Sequence, residues 1–196
     1  LVVVLMAMLA MNISNEVIDG FTIVEESLNR TTANSSKENE VLYGNFADQM
    51  KKNPQKVKEW FEKATAVKRM SDSLYNFAQA LKVQIVREAD GKDGNIYNIK
   101  SKDNLEAASH VMLAPGTGQG KKLYDAINNF RERILKMVPD QHQRDIIESN
   151  LMTKVPKNAN TLGKNWQEYM FEDMPVAGAV TLLSKLQSDV RYAEGE

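Results

Sequence analysis

Apolar residues along this chain recur at steps of three, four and seven, the spacing that lines one face of an α-helix. The clearest run starts at Asn53-Pro54, where Asn suits a helix cap and Pro the first helical position. From there Val57, Trp60, Ala64, Val67, Leu74, Ala78, Leu81 and Ile85 form a stripe, flanked by Phe61, Met70 and Phe77. The pattern predicts a helix to about Glu88 with a stop at Asp90-Gly91, about 50 Å long. Upstream, Ile13, Val17, Phe21, Val24 and Leu28 mark one face. A polar stretch from Arg30 to Glu40 follows, then Val41, Leu42, Phe46 and Met50. Periodicity leaves open whether the polar stretch is a continued solvated helix or a break. Only Lys51 to Asn53 separate the two long segments, and so short a connection implies an antiparallel hairpin.

Shorter helical patterns fill the rest. Asp103 with Glu106 reads as a capping box before Leu105 to Leu113, and Pro115 closes that helix. Leu123, Ile127, Phe130, Ile134 and Val138 mark another, and Asp140 with Gln143 starts a short one through Leu151. Asn165 with Glu168 caps a turn or two carrying Trp166 and Phe171. Pro175 opens the last helix, with Val176, Val180, Leu183, Leu186, Val190 and Ala193 on one face. No alternating strand pattern of useful length occurs. The predicted fold class is all-α, a bundle of long antiparallel helices.

The run from Leu1 to Met11 is unbroken apolar sequence. Eleven helical residues rise about 17 Å, roughly half of a bilayer core of about 30 Å. A buried core helix would need partner surfaces on all sides. A secretory signal peptide would need a basic start and a good small-residue cleavage site, and the Ala7 to Ala10 region is a poor one. The reading adopted is the end of a transmembrane helix whose first turns lie upstream, since position 1 is Leu rather than Met. The flank beyond Met11 carries Glu16, Asp19, Glu25 and Glu26 before its first basic residue, Arg30. Cytoplasmic flanks are rich in Lys and Arg, so this one is expected outside the cytoplasm. The expected division is a truncated membrane helix over 1–12 and a periplasmic bundle over 13–196. Leu1, Val4, Leu5, Met8, Leu9 and Met11 would face membrane or partner helices. Asn12, Ser14, Glu16, Asp19 and Gly20 would form the periplasmic exit. Asn12 or Ser14 can cap a helical restart, with Glu16 and Asp19 suited to its positive end.

Charge and motifs narrow the function. The 25 basic and 26 acidic residues nearly cancel, so no global field favours nucleic acid. With no cysteine and only His110 and His142, thiolate and His-based metal sites lack ligands. The segment Pro115-Gly116-Thr117-Gly118-Gln119-Gly120-Lys121-Lys122 fails the phosphate-loop pattern, because Pro115 and Lys122 stand where Gly and Ser/Thr are needed. Asp90-Gly91-Lys92-Asp93-Gly94-Asn95 fails the calcium-loop pattern, because Ala89 and Gly91 stand where ligands are required. Both read as turns. Neither a cofactor nor an active site is expected.

One resemblance spans the chain in order. Ala7-Met8-Leu9-Ala10-Met11-Asn12, then Ser14, Glu16, Val17, Asp19, Gly20 and Phe21, resembles the membrane exit of the GldM/PorM family. Arg87-Glu88, Asp90-Gly91-Lys92-Asp93 and Lys102-Asp103-Asn104-Leu105 resemble its first periplasmic domain. So do Phe171-Glu172-Asp173-Met174-Pro175, Thr181-Leu182-Leu183, Lys185-Leu186-Gln187, Asp189-Val190-Arg191-Tyr192-Ala193 and Gly195-Glu196. The resemblance implies a non-enzymatic part of the proton-motive-force-driven type IX secretion and gliding motor, anchored in the bacterial inner membrane. It implies a homodimer whose membrane helices sit inside a ring of GldL/PorL-type subunits. Further domains beyond Glu196 would reach outer-membrane-associated ring proteins. The family's basic anchor residue would lie upstream of Leu1. The runner-up, a ligand-sensing ectodomain of the chemoreceptor type, would need a second membrane segment and a signalling part. A periplasmic hydrolase would need a nucleophile–base pair, and none is found.

Overall fold

The computed structural model describes residues 1–2 and 13–196. Two long helices open the fold, α1 over Asn15–Lys52 and α2 over Pro54–Asp90. Four short ones follow: α3 (Ala107–Leu113), α4 (Gly120–Leu135), α5 (Gln141–Asn150) and α6 (Trp166–Phe171). The last, α7, covers Val176–Gly195. The described residues contain no strand.

Local signals account for most boundaries. Asn53 ends α1 and caps α2, its side chain accepting from the Lys56 N–H while Pro54 starts the helix. α2 stops where Gly91, at φ 92°, takes a backbone geometry that side-chain-bearing residues avoid. Asp140 and Asn165 cap α5 and α6 through the N–H groups of Gln143 and Glu168. The expected box at Asp103 is not what forms. Asn104 Oδ1 instead accepts from the N–H groups of both Glu106 and Ala107, each at 2.9 Å. Asn is as good a cap as Asp, and its position beside the first helical residues decides the matter. The polar Arg30–Glu40 stretch is continuous helix. Its buried positions, Thr32 and Asn39, are polar, so its inward face shows no apolar stripe.

The apolar core is built by α2, α4 and α7, with α3 and α6 closing one end. Leu81, Ile85, Leu123, Ile134, Phe171, Val176, Leu183 and Val190 are almost wholly buried. α7 is the central element, buried on several sides through its own Val176, Ala179, Val180, Thr181, Leu183, Ser184 and Gln187. Leu186, expected on its buried face, is only partly buried. Gly178 permits close approach of α1, since a Cβ there would lie 3.2 Å from the Phe21 ring and 2.7 Å from Met174 Sδ.

Two stripes depart from expectation. On α1 the inward face is Ile18, Phe21, Glu25, Thr32, Asn39 and Tyr43, while Val17 and Val24 are each 48 % exposed. Ile18 is the only buried hydrophobe that α1 supplies to the described fold. On α2, burial begins at Ser71, and Trp60 is 60 % exposed. The stretch from about Gly44 to Thr65 projects past the end of α7, where no third helix covers it. Truncating Leu81 to Ala should therefore cost about 2–5 kcal/mol in chemical denaturation. Trp60→Ala should cost less than about 1 kcal/mol, although both residues share one helical stripe.

Candidate functional site

Since α1 contributes one buried hydrophobe, polar contacts must fix it to the bundle. They line up along α7 in order. Thr181 Oγ1 shares its proton between the Ala177 carbonyl at 2.8 Å and the Phe21 carbonyl at 3.2 Å, and Ser184 Oγ donates to Glu25 Oε1 at 2.7 Å. Farther along, Asn39 Nδ2 donates to the Arg191 carbonyl at 2.9 Å, and the Tyr43 hydroxyl donates to Glu194 Oε1 at 2.9 Å. Both helices advance together through these pairs, so α1 and α7 run parallel. α2 runs against them. Lys82 Nζ donates to Ser184 Oγ at 2.8 Å, Gln187 Nε2 to the Tyr75 carbonyl at 3.1 Å, and Arg191 to Asp72 at 2.8 Å.

Two clusters stand out in this seam. In the first, Glu25, Lys82 and Ser184 bring one polar group from each of α1, α2 and α7 together. Lys82 is only 4 % exposed, and its Nζ lies 3.9 Å from Glu25 Oε1. Burial pushes the Lys82 ammonium below the ordinary lysine value, against the opposing pull of Glu25. In the second, Glu194 is almost fully buried and accepts from Tyr43, Ser71 and Arg191. Burial works against the Arg191 charge, but the hydrogen bonds that Arg191 donates to Asp72 and Glu194 outweigh it and hold the guanidinium up. Burial first, and then Glu194, push the Tyr43 hydroxyl far above its ordinary range. Arg191 also stacks over the Tyr75 ring, 4.3 Å from its centroid. No residue in either cluster looked chemical in the sequence. Glu25 and Lys82 are single charges on long helices, and only the fold shows that they face inward.

Of the residues expected to form the periplasmic exit, Ser14, Glu16, Asp19 and Gly20 lie at the other end of α1. Ser14 caps the helix, its backbone extended at ψ 149° and its Oγ accepting from the Val17 N–H. Glu16 lies in the first turn, Asp19 is exposed, and a Cβ on Gly20 would meet nothing within 4 Å. Leu1 is exposed. Val4, Leu5, Met8, Leu9, Met11 and Asn12 lie outside the described residues. Among the described residues, no helix is long and apolar enough to cross a membrane.

The loops that resembled ligand motifs have structural roles. Asp90 accepts from the N–H groups of Lys100 and Ser101 and so pins the loop after α2. A Cβ on Gly120 would lie 2.6 Å from Gln167 Cβ and 2.7 Å from the Met112 carbonyl, so this glycine lets α4 start against α3 and α6. His110 is exposed, its Nε2 3.8 Å from Glu88, and no group of three or more metal-ligating side chains occurs among the described residues.

The Glu25–Lys82 pair yields two linked expectations. Lys82→Ala leaves the Glu25 carboxylate without its cation and should cost about 3–5 kcal/mol, while Glu25→Leu with Lys82→Met should recover most of that loss. Because the folded state depresses the Lys82 pKa, unfolding takes up protons below the ordinary value of 10.5. The stability Lys82 contributes is full above that value and is lost as pH falls through its folded pKa. Melting temperatures from neutral pH to about pH 9.5 should rise more steeply for the parent chain than for the double variant.

A comparison with curated proteins finds no match. A family model described as the GldM N-terminal domain matches residues 16–196, from the first turn of α1 to the end of α7. The chain therefore belongs to the GldM/PorM family and carries its N-terminal domain.

Proposed function

We propose that this domain passes motion from the inner membrane to the rest of a periplasmic shaft, entering through α1 and leaving through α7. As a GldM domain the chain is a structural component of the type IX secretion and gliding system, and its family is not an enzyme family. The observation that carries the coupling reading is the parallel register of α1 and α7, fixed by buried polar contacts from Phe21 to Tyr43. Apolar surfaces tolerate sliding, whereas a hydrogen bond to a charged group is worth about 1.5–3 kcal/mol only at its own geometry. Displacing α1 along its axis breaks all of these at once, so α7 follows.

In this reading residues 1–12 end an inner-membrane anchor and residues 13–196 lie in the periplasm. Leu1, Val4, Leu5, Met8, Leu9 and Met11 contact the partner anchor and GldL/PorL-type ring subunits, with proton flow in that membrane part as the energy source. Asn12, Ser14, Glu16, Asp19 and Gly20 form the exit, and domains beyond Glu196 reach outer-membrane-associated proteins. Protease added to spheroplasts should degrade the domain. Protection, or a soluble cleaved form, overturns this topology.

The exposed α1 face also supports a homodimer. Val17, Val24 and Leu42 are exposed on α1, and Leu28 is half-buried, all at heptad-like spacing on one face. Because the chain has no cysteine, Val24→Cys reports self-pairing directly. Oxidation in membranes should give a cross-linked dimer across a parallel pair, and a persistent monomer argues against this face.

The decisive experiment concerns slack. Inserting Gly-Ser-Gly-Ser after Asn12 should leave expression and melting of the domain unchanged, because it lies outside α1 and the core. Flexible Gly/Ser segments do not carry push or twist, so type IX secretion should be lost. Normal secretion by the stably expressed insertion variant rules out the coupling reading.

A further inference from the structure

Between α1, α2 and α7 lies a cavity of ≈ 440 Å³, bordered by the loop after α2 through Ile96 to Ile99. A single water takes about 30 Å³, and small-molecule sites span about 300–1,000 Å³, so the space is of ligand size. Its lining residues hold buried polar atoms of both signs with unused hydrogen-bonding capacity. Glu25 Oε2 is buried and receives no hydrogen bond, although Oε1 accepts from Ser184. Thr32 is only 6 % exposed, and its Oγ1 has no partner. Lys82 carries three N–H donors, of which Ser184 Oγ engages one. Glu25 Oε1, at 3.9 Å, is beyond hydrogen-bond range for the others. Lys102 adds a second cation, held on α1 by Thr22 Oγ1 at 3.3 Å.

We propose that this cavity binds a small zwitterion of the amino-acid or short-peptide class. Its ammonium group donates to Glu25 Oε2, and its carboxylate accepts from Lys82 Nζ. The alternatives each leave something uncompensated. A simple anion meets Glu25 and Glu26, and a simple cation meets Lys82 and Lys102. A neutral apolar molecule leaves buried polar atoms unpaired, at about 1–3 kcal/mol each. A zwitterion with adjacent charges matches a carboxylate and an ammonium that stand side by side. Thr32 lies two helical turns from Glu25, about 10 Å along α1, so it is placed for a ligand side chain or second residue with a hydrogen-bonding group. Phe21, Ile99 and Val180 supply apolar wall. An occupant bridges α1 to α2 along the polar part of the α1 inward face, beyond Phe21. The inference does not depend on the coupling reading, because binding is measured on the isolated protein.

The test is a titration of the 196-residue chain in lipid nanodiscs, methyl-labelled at Ile, Ala and Thr. Glycine, L-alanine, L-serine and L-alanyl-L-alanine are the ligands, with methylamine and acetate as half-ligands. Saturable shifts at Ile99, Ala177 and Thr181 are expected with at least one zwitterion, and binding of each half-ligand should be at least about tenfold weaker. Amino acids against the dipeptide distinguish the two members of the class. Glu25→Gln should weaken binding by at least about tenfold. Ala33→Phe narrows the cavity from an exposed position on its rim and should weaken binding without touching the core. The proposal falls if no zwitterion gives a saturable shift at millimolar concentration. It also falls if a half-ligand binds equally well, or if both variants bind undiminished.

Discussion

A helix that joins a bundle with little buried apolar surface has to be held by polar groups, and each of those, once removed from water, must find a partner at the right distance. That condition governs α1. Its buried face carries Glu25, Thr32, Asn39 and Tyr43 rather than Leu or Val, and the answering groups come from α7 and α2. The arrangement of the whole bundle follows from meeting this demand. α7 must be central to reach both long helices, and it carries Ser184, Gln187, Arg191 and Glu194 where a simple core helix would be apolar. The short helices α3 to α6 then cover the remaining apolar side of α2 and α7.

Buried ion pairs are weak sources of stability, because desolvation offsets most of the attraction. What they supply is specificity of position. The Glu194 cluster ties the last turn of α7 to both long helices through three donors on one carboxylate. The Glu25 cluster does the same a few turns earlier with fewer bonds and unfilled valences. The Glu194 carboxylate is engaged on both oxygens, whereas Glu25 keeps one oxygen unbonded, and Arg191 Nε beside Glu194 is likewise without a partner.

Much of this was legible in the sequence and some was not, for definable reasons. Helix existence, the Asn53-Pro54 junction, the Asp140 and Asn165 caps and the stop at Gly91 rest on local chemistry within three or four residues, and these were foreseen. The same locality misplaced the cap at Asp103, where the neighbouring Asn104 takes the role. Stripe-reading failed where burial depends on how many neighbours a helix has. Trp60 fits the α2 period but extends beyond the covering helices, and Val17 and Val24 fit the α1 period on a face that this chain leaves exposed. The seam itself could not be read. Its members are ordinary charged and hydroxyl residues separated by more than one hundred positions, as Lys82 and Ser184 are. Periodicity could not even decide whether the polar run from Arg30 to Glu40 is helix, because its inward positions, Thr32 and Asn39, are polar.

The Ser14 cap has a mechanical side. The hydrogen-bond ladder of α1 begins at Ser14, whose carbonyl and hydroxyl receive the N–H groups of Ile18 and Val17. Ile13 and Ser14 precede α1 without helical geometry. A helix resists bending through its continuous ladder of hydrogen bonds, and that stiffness starts at Ser14. Any pull or twist that reaches the first turn of α1 meets a rod of 38 residues, and one hydroxyl fixes where rod behaviour begins.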